Sequence, residues 1–340
     1  MSRARGRGAR ALGLLMLGVV LMAASQSAGD GPGAASVAAQ GTKGGQLTRL
    51  SVITFSPPLV LVAARLRGYF AAQGLEVEHV ITQSSQQLMR GVIDGTYDIG
   101  CTNPDNWITY VMRDNADVFM FSGVNTGGER TVVVRPEIQT VEDLRGKALA
   151  VDAVDSGLVM ILWQILADQG LDFRTGDPRL VPVGTTSLRL ESMGRGETFG
   201  AITSARETEQ ALAMGFRPIG SSSEYLPDYP GAQCGTTRRW AAAHQDALVR
   251  YVRAYVAATE WALQNREAAL ALYRDATGVS LAVAEEAHET ISPDAVLATS
   301  GTQRILDLRV ALGFLDGPAP QAQRFYDTRY WEMATGRRHP

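Results

Sequence analysis

At 340 residues the chain is long enough for one large or two medium domains, and 45% apolar with 20% charged residues is an ordinary globular balance. That composition excludes a disordered, collagen-like or polytopic membrane chain, and a net charge of −3 without a basic tail argues against nucleic acid as a partner. His79, His244, His288 and His339 form no close pair, and Cys101 and Cys234 are too few for a Cys-rich zinc site, so neither a metal nor a cofactor is expected.

The N-terminal segment reads as an address. Arg3, Arg5, Arg7 and Arg10 precede Ala11 to Ala24, an apolar run of signal-peptide length that is too short to span a bilayer. Small-residue cleavage patterns follow at Ala23-Ala24-Ser25 and at Val37-Ala38-Ala39. Residues 1–39 are therefore expected to be a removable signal peptide with a linker, which makes the mature protein periplasmic. A retained N-terminal anchor is the alternative.

Strands and helices then alternate. Leu50 to Thr54 is a short β-branched run, and Leu59, Val62, Ala63, Leu66 and Phe70 fall on one helical face behind Pro57-Pro58. Leu75 to Thr82 reads as a strand, Ser85 to Ile93 as a helix, Tyr97 to Cys101 as a strand, Asp105 to Met112 as a helix and Val118 to Ser122 as a strand. This order implies a parallel sheet with helices on its faces. A second such unit starts near Thr131 to Arg135. It continues through the strand Ala148 to Asp152, a helix capped by Ser156, Leu180 to Val183, a helix over Ser187 to Met193, Phe199 to Thr203, a helix over Ala205 to Met214, and Arg217 to Gly220. Gly95 to Gly100 ahead of Thr102-Asn103, and Gly196 to Ala201 ahead of Thr203-Ser204, repeat one phrase: a helix ending at glycine, a strand, then a polar loop.

After Pro230 the grammar changes. Gln233 to Thr237 fits one more strand, and the remainder is helical, with a long amphipathic face at Leu248, Val252, Tyr255, Thr259 and Ala262. Further helices are expected over Leu281 to Thr290, Gln303 to Leu312 and Gln323 to Ala334. This tail is too short to stand alone, so it packs back on the first unit. The result is two lobes, with chain crossings near Asn125 to Thr131 and near Gln233.

Three phrases then carry a family resemblance: Gly68-Tyr69-Phe70 with Gly74-Leu75-Glu76-Val77, Gly95 to Gly100, and Val141 to Lys147. A fourth is Thr236 to His244. In this order, across Leu47 to Ala334, the chain resembles an ABC-transporter solute-binding protein of the nitrate/sulfonate/taurine and thiamine-pyrimidine-precursor (SsuA/TauA-like) class. The resemblance implies an α/β, type II periplasmic binding protein fold. Lobe 1 would hold residues 47–128 and 235–340, and lobe 2 residues 129–234, joined by two hinge crossings. It implies a small organic ligand, a permease with its cytoplasmic ATPase as partner, and a monomer. It also makes Cys101 and Cys234 neighbours, able to bridge in an oxidising compartment or to remain two buried thiols.

Ligands of open parallel sheets sit outside the carboxyl ends of the strands, among loops and helix N-termini. In the first lobe those loops are Phe55-Ser56-Pro57, Gln83-Ser84-Ser85 and Thr102 to Asp105; in the second, Asp152 to Gly157, Gly184-Thr185-Thr186 and Thr203 to Arg206. The candidate ligand contacts are Phe55, Ser56, Ser84, Asn103, Asp105, Ser156, Gly157, Thr185, Ser204 and Arg206. Ser56, Ser84, Ser156, Thr186 and Ser204 are equally good helix N-caps, each worth about 1 kcal/mol in that role. Arg206 can fork onto a carboxylate or sulfonate, or lie solvated; Phe55 and Trp107 can stack on a ring, or pack in the core.

Fold-related enzymes set the alternative. A lyase, a desulfinase and a pyrimidine-precursor synthase share this fold. The synthase resemblance brings a cysteine-rich motif that this chain lacks, and the desulfinase type places its cysteine nucleophile where this chain has Phe55-Ser56. No nucleophile elbow, zinc-protease, P-loop or dinucleotide motif occurs after the leader. The sequence therefore points to binding rather than catalysis, with a ligand-sensing module as the third reading.

Overall fold

The computed structural model describes residues 47–340 apart from 83, 173–174 and 227–228. The expected leader, residues 1–39, and Gln83 of the second loop lie outside the described residues. Among the described residues no helix is long and apolar enough to cross a membrane.

The strands in chain order are β1 (Thr48–Thr54), β2 (Leu75–Ile81), β3 (Ile99–Thr102), β4 (Val118–Gly123), β5 (Arg130–Val134), β6 (Ala148–Val151), β7 (Arg179–Pro182), β8 (Gly200–Ser204), β9 (Arg217–Ser221) and β10 (Gln233–Thr237). They form two five-stranded sheets, ordered β2-β1-β3-β10-β4 and β7-β6-β8-β5-β9. β1 runs parallel to both β2 and β3, as β6 does to β7 and β8. The expected all-parallel sheet is corrected at one place in each. β10 lies antiparallel between β3 and β4, and β5 antiparallel between β8 and β9. Both are crossing strands that enter from the other sheet rather than through the crossover that a parallel neighbour within one sheet requires. The first sheet takes up the chain at Gln233, slightly ahead of the expected return at 235.

The repeated glycine phrase has a structural meaning. Gly95 and Gly196 both adopt left-handed backbone, at φ 84° and 79°, where a helix stops and the chain turns into β3 or β8. These strands hold the same position in their respective sheets.

Apolar residues cover both faces of each sheet. One core packs Leu61, Phe121, Tyr251 and Tyr255 between the first sheet and the helices Leu59–Leu66 and Gln245–Gln264. A second runs from Ile53, Trp107 and Met120 through Ile305 and Leu306 of the tail to Trp163 and Ile202 of the second sheet's side. The tail helix Thr299–Ala311 thus shares one core with elements of both sheets. Val133, Ala150, Leu190 and Met193 form a smaller core on the second sheet's other face.

Two tail expectations are corrected. The helix expected over Gln323 to Ala334 is a short turn, Ala322–Phe325, and a separate helix, Arg329–Thr335. Tyr326 between them is extended and bridges to Met120 of β4, which costs the helix its continuity. A further helix, Arg266–Thr277, is carried by the apolar Ala269, Leu270 and Tyr273.

Cys234 of β10 lies directly opposite Cys101 of β3, and their sulfurs are bonded at 2.00 Å, closing a separation of 133 residues. Cross-linking so long a loop restricts the unfolded chain, an effect worth about 2–4 kcal/mol. Reduction is accordingly expected to lower the thermal midpoint of the protein by roughly 5 °C or more. Unfolding scans with and without reductant check this, and coincident midpoints would contradict it.

Candidate functional site

The loops at the carboxyl ends of the strands meet in a cleft of about 730 Å³ bordered by both sheets. From the first sheet come Phe55, Ser56, Thr102 and Asn103; from the second come Ser156, Gly157, Thr185, Ser204 and Arg206. Phe55 is 39% exposed and offers an aromatic surface. Cys101 of the disulfide forms part of the same lining.

Several of these side chains are occupied with their own helices. Ser156 Oγ accepts from Val159 N at 3.3 Å and donates to Asp152 Oδ1 at 2.6 Å. Thr185, rather than Thr186, caps the helix Thr186–Gly194, accepting from Leu188 N at 3.2 Å. Ser204 makes no cap bond and donates instead to the Glu207 carboxylate. Asn103 makes no side-chain cap bond either. Arg206 is exposed, in the first turn of the helix Ala205–Ala213.

Three candidates lie elsewhere. Ser84 is outside the cleft lining and caps the helix Ser85–Asp94 by accepting from Gln87 N at 3.3 Å. Trp107 is fully buried in the core, its Nε1 donating to Gln233 O at 3.4 Å. Asp105 is fully buried, accepting from Arg309 Nη1 at 3.0 Å and from the Tyr229 hydroxyl. An aspartate in the first turn of a helix signals a cap or a ligand contact equally, and here a tail arginine claims it.

The cleft also holds charges that periodicity concealed. Arg189 sits among apolar neighbours in its helix, yet its guanidinium reaches the lining, donating to Ile202 O at 2.7 Å and Thr186 Oγ1 at 2.6 Å. Burial pushes its pKa down, and Asp152 and Glu207 oppose the shift. Arg130, at the start of β5, is likewise lowered by desolvation, with Glu286 opposing. Glu286 accepts from Glu129 N at 2.9 Å, and burial raises its pKa. Tyr273 adds an aromatic wall, its hydroxyl tied to Pro57 O at 2.9 Å and pushed up to about 12 by burial. The lining thus mixes Arg130, Arg189 and Arg206 with Asp152, Glu207 and Glu286. Among the described residues no group of His, Cys, Asp or Glu is arranged to hold a metal.

The two sheets meet the cleft with helix N-termini, an arrangement shared with solved structures of the periplasmic binding protein fold. Residues 59–269 match the NMT1/THI5-like family, and the chain belongs to it. No curated protein sequence matches. Among solved structures the chain is similar to the alkanesulfonate-binding protein SsuA of Xanthomonas axonopodis pv. citri bound to MOPS, with 18% identity and a TM-score of 0.68 over 83% of this chain and 99% of that one. It is similar also to the nitrate-binding protein NrtA of Synechocystis PCC 6803, with 12% identity and a TM-score of 0.70 over 86% and 89%. A third is the desulfurization enzyme DszB, with 16% identity and a TM-score of 0.64 over 85% and 99%. At these identities the likeness is one of fold.

One titrating group supports the first loop from behind. The Thr54 hydroxyl lies 2.8 Å from Ser56 O and 2.7 Å from His79 Nε2, tying the loop to the imidazole. Burial, with help from Arg65, holds His79 down to about 4 against an ordinary 6.5. Between those values the unfolded chain binds more protons, so this group's contribution rises as pH climbs from about 4 to about 6.5. His79→Gln is expected to flatten that rise relative to the parent. Denaturant midpoints of both proteins across this window check it; parallel curves would contradict it.

Proposed function

We propose that the protein is the extracytoplasmic substrate-binding component of an ABC import system. It captures a small organic ligand in the cleft and delivers it to a permease driven by a cytoplasmic ATPase. The observation that carries the reading is the convergence of loops from both sheets on one cleft of about 730 Å³, within the usual range for small-molecule sites. Residues 47–128 together with the chain from Gln233 onward act as lobe 1, and the segment between them as lobe 2. The protein works as a periplasmic monomer after its leader is removed.

In this reading Phe55, Ser56 and Asn103 hold the ligand from lobe 1, and Ser156, Gly157, Thr185, Ser204 and Arg206 hold it from lobe 2. A ligand touching both lobes favours the closed arrangement because its affinity for that arrangement is higher. Arg206 and the convergent helix N-termini favour an anionic end, a sulfonate or carboxylate, while Phe55 and Tyr273 suit a ring or an apolar body; a pyrimidine-like ligand fits the same walls.

The likeness to DszB favours a second reading, catalysis. It is the weaker one, since the Phe55-Ser56 loop carries no thiol and both cysteines are tied in the disulfide.

Thermal unfolding against alkyl sulfonates, taurine, nitrate, aromatic carboxylates and pyrimidines at about 1 mM tests this. A ligand present at a hundred times its Kd adds about 2.7 kcal/mol and raises the midpoint. The expected result is a shift confined to one chemical class, with the ligand recovered unchanged. If the hit is anionic, Arg206→Ala should weaken it by about tenfold. Conversion of the hit into another compound would overturn the binding reading.

A further inference from the structure

Gly157 lines the cleft, and on its other side it meets Asp105 in a contact that ligand binding does not account for. Gly157 opens the helix Gly157–Ala167, yet its backbone is not left-handed, so the chain path does not require glycine there. Space does. A Cβ at this position would come to 3.0 Å from Asp105 Cβ, 3.4 Å from Asn103 Cβ and 3.5 Å from Tyr229 Oη. Asn103 and Asp105 belong to the start of the helix Pro104–Asp114 beside the first sheet; Tyr229 belongs to the return crossing. Asp155, shortly before Gly157, pairs with Arg113 at the other end of that helix, at 2.6 Å.

The helix Gly157–Ala167 therefore starts against the first turn of Pro104–Asp114, while Asp155, just ahead of it, reaches the far end of that helix. Behind this contact Asp105 is clamped by Arg309 and Tyr229, with desolvation raising its pKa to about 6 against the pull of Arg309. The Arg309 guanidinium stands 5.8 Å from the Phe314 ring, and Phe314 packs edge-on against Trp163 at 4.8 Å. The tail thus straps the same two helices together. Away from this seam, Ser280 Oγ donates to the Glu209 carboxylate at 3.0 Å, joining the helix Leu281–Glu289 to the helix Ala205–Ala213.

We infer that Gly157 is the pivot on which the second lobe closes: a positioning residue whose missing side chain lets the two helix starts meet over the Asp105–Tyr229–Arg309 clamp. The inference rests on the two-lobe reading above. The seam presses tightest when the Glu209–Ser280 rim meets and eases as the rim parts. A side chain at 157 wedges the seam, and opening relieves the wedge without unfolding either sheet.

The test needs no ligand. E209C and S280C introduce a thiol pair into a chain whose native cysteines are bonded to each other, and a short bifunctional thiol reagent then joins the pair at a rate set by how often the rim meets. Adding G157V is expected to slow cross-linking at least tenfold and G157A by less, with labelling of each single cysteine unchanged. Equal cross-linking rates in all three backgrounds would overturn the inference. So would a G157V chain with no native melting transition beside a G157A chain that cross-links at the parent rate, since the contact would then be ordinary core packing. Because no ligand enters, an error about the cargo leaves this result unaffected.

Discussion

The chain crosses between the two sheets twice, each crossing ends in a strand laid antiparallel inside its sheet, and the rest of the arrangement depends on those two strands. β5, arriving at the second sheet, lies antiparallel between β8 and β9; β10, on the way back, lies antiparallel between β3 and β4. A crossing held by a hydrogen-bonded ladder on both sides cannot slip along its sheet without breaking several bonds at once. The carboxyl ends of both sets of parallel strands are thereby kept toward one another. The disulfide strengthens the return crossing at Cys101 and Cys234, beside the cleft it helps to line.

From that placement the chemistry of the cleft follows. Parallel strands direct the N-termini of their following helices to one edge, so backbone donors and short polar side chains gather there. Many of these side chains are occupied in holding their loops: Ser156 and Thr185 by capping, and Thr54 by bracing Ser56. The groups left open in the cleft are Asn103, Phe55 and Arg206, set beside the desolvated Arg130 and Arg189. Such a mixture discriminates by where charges sit rather than by net charge, since an ion lacking its partner in a partly dry cleft incurs the full desolvation cost.

The alternation of elements was readable because β-branched runs and helical faces follow simple periods, and the glycine phrase at Gly95 and Gly196 marks two equivalent helix ends. The direction of β5 and β10 was not readable, since a strand's sequence carries no record of which way it enters a sheet. Asp105 looked like a cleft residue because its helix start does face that way; its capture by Arg309 is a contact 204 positions distant that no local pattern announces. Arg189 was hidden for the converse reason, as a charge on the helix face that Leu190 and Met193 carry into the interior. The neighbouring of Cys101 and Cys234 came from the family resemblance alone, since their spacing says nothing. The break at Tyr326 reflects the edge of β4 drawing an otherwise helical segment into a bridge.

The central claim is that the lobes close on a ligand held between them. Small-angle scattering of the mature protein, alone and saturated with the compound that stabilises it, tests this most directly. Closure predicts a smaller radius of gyration and a shortened maximum dimension with ligand. Identical scattering curves at proven saturation would contradict it and leave a rigid binding site in place of a closing cleft.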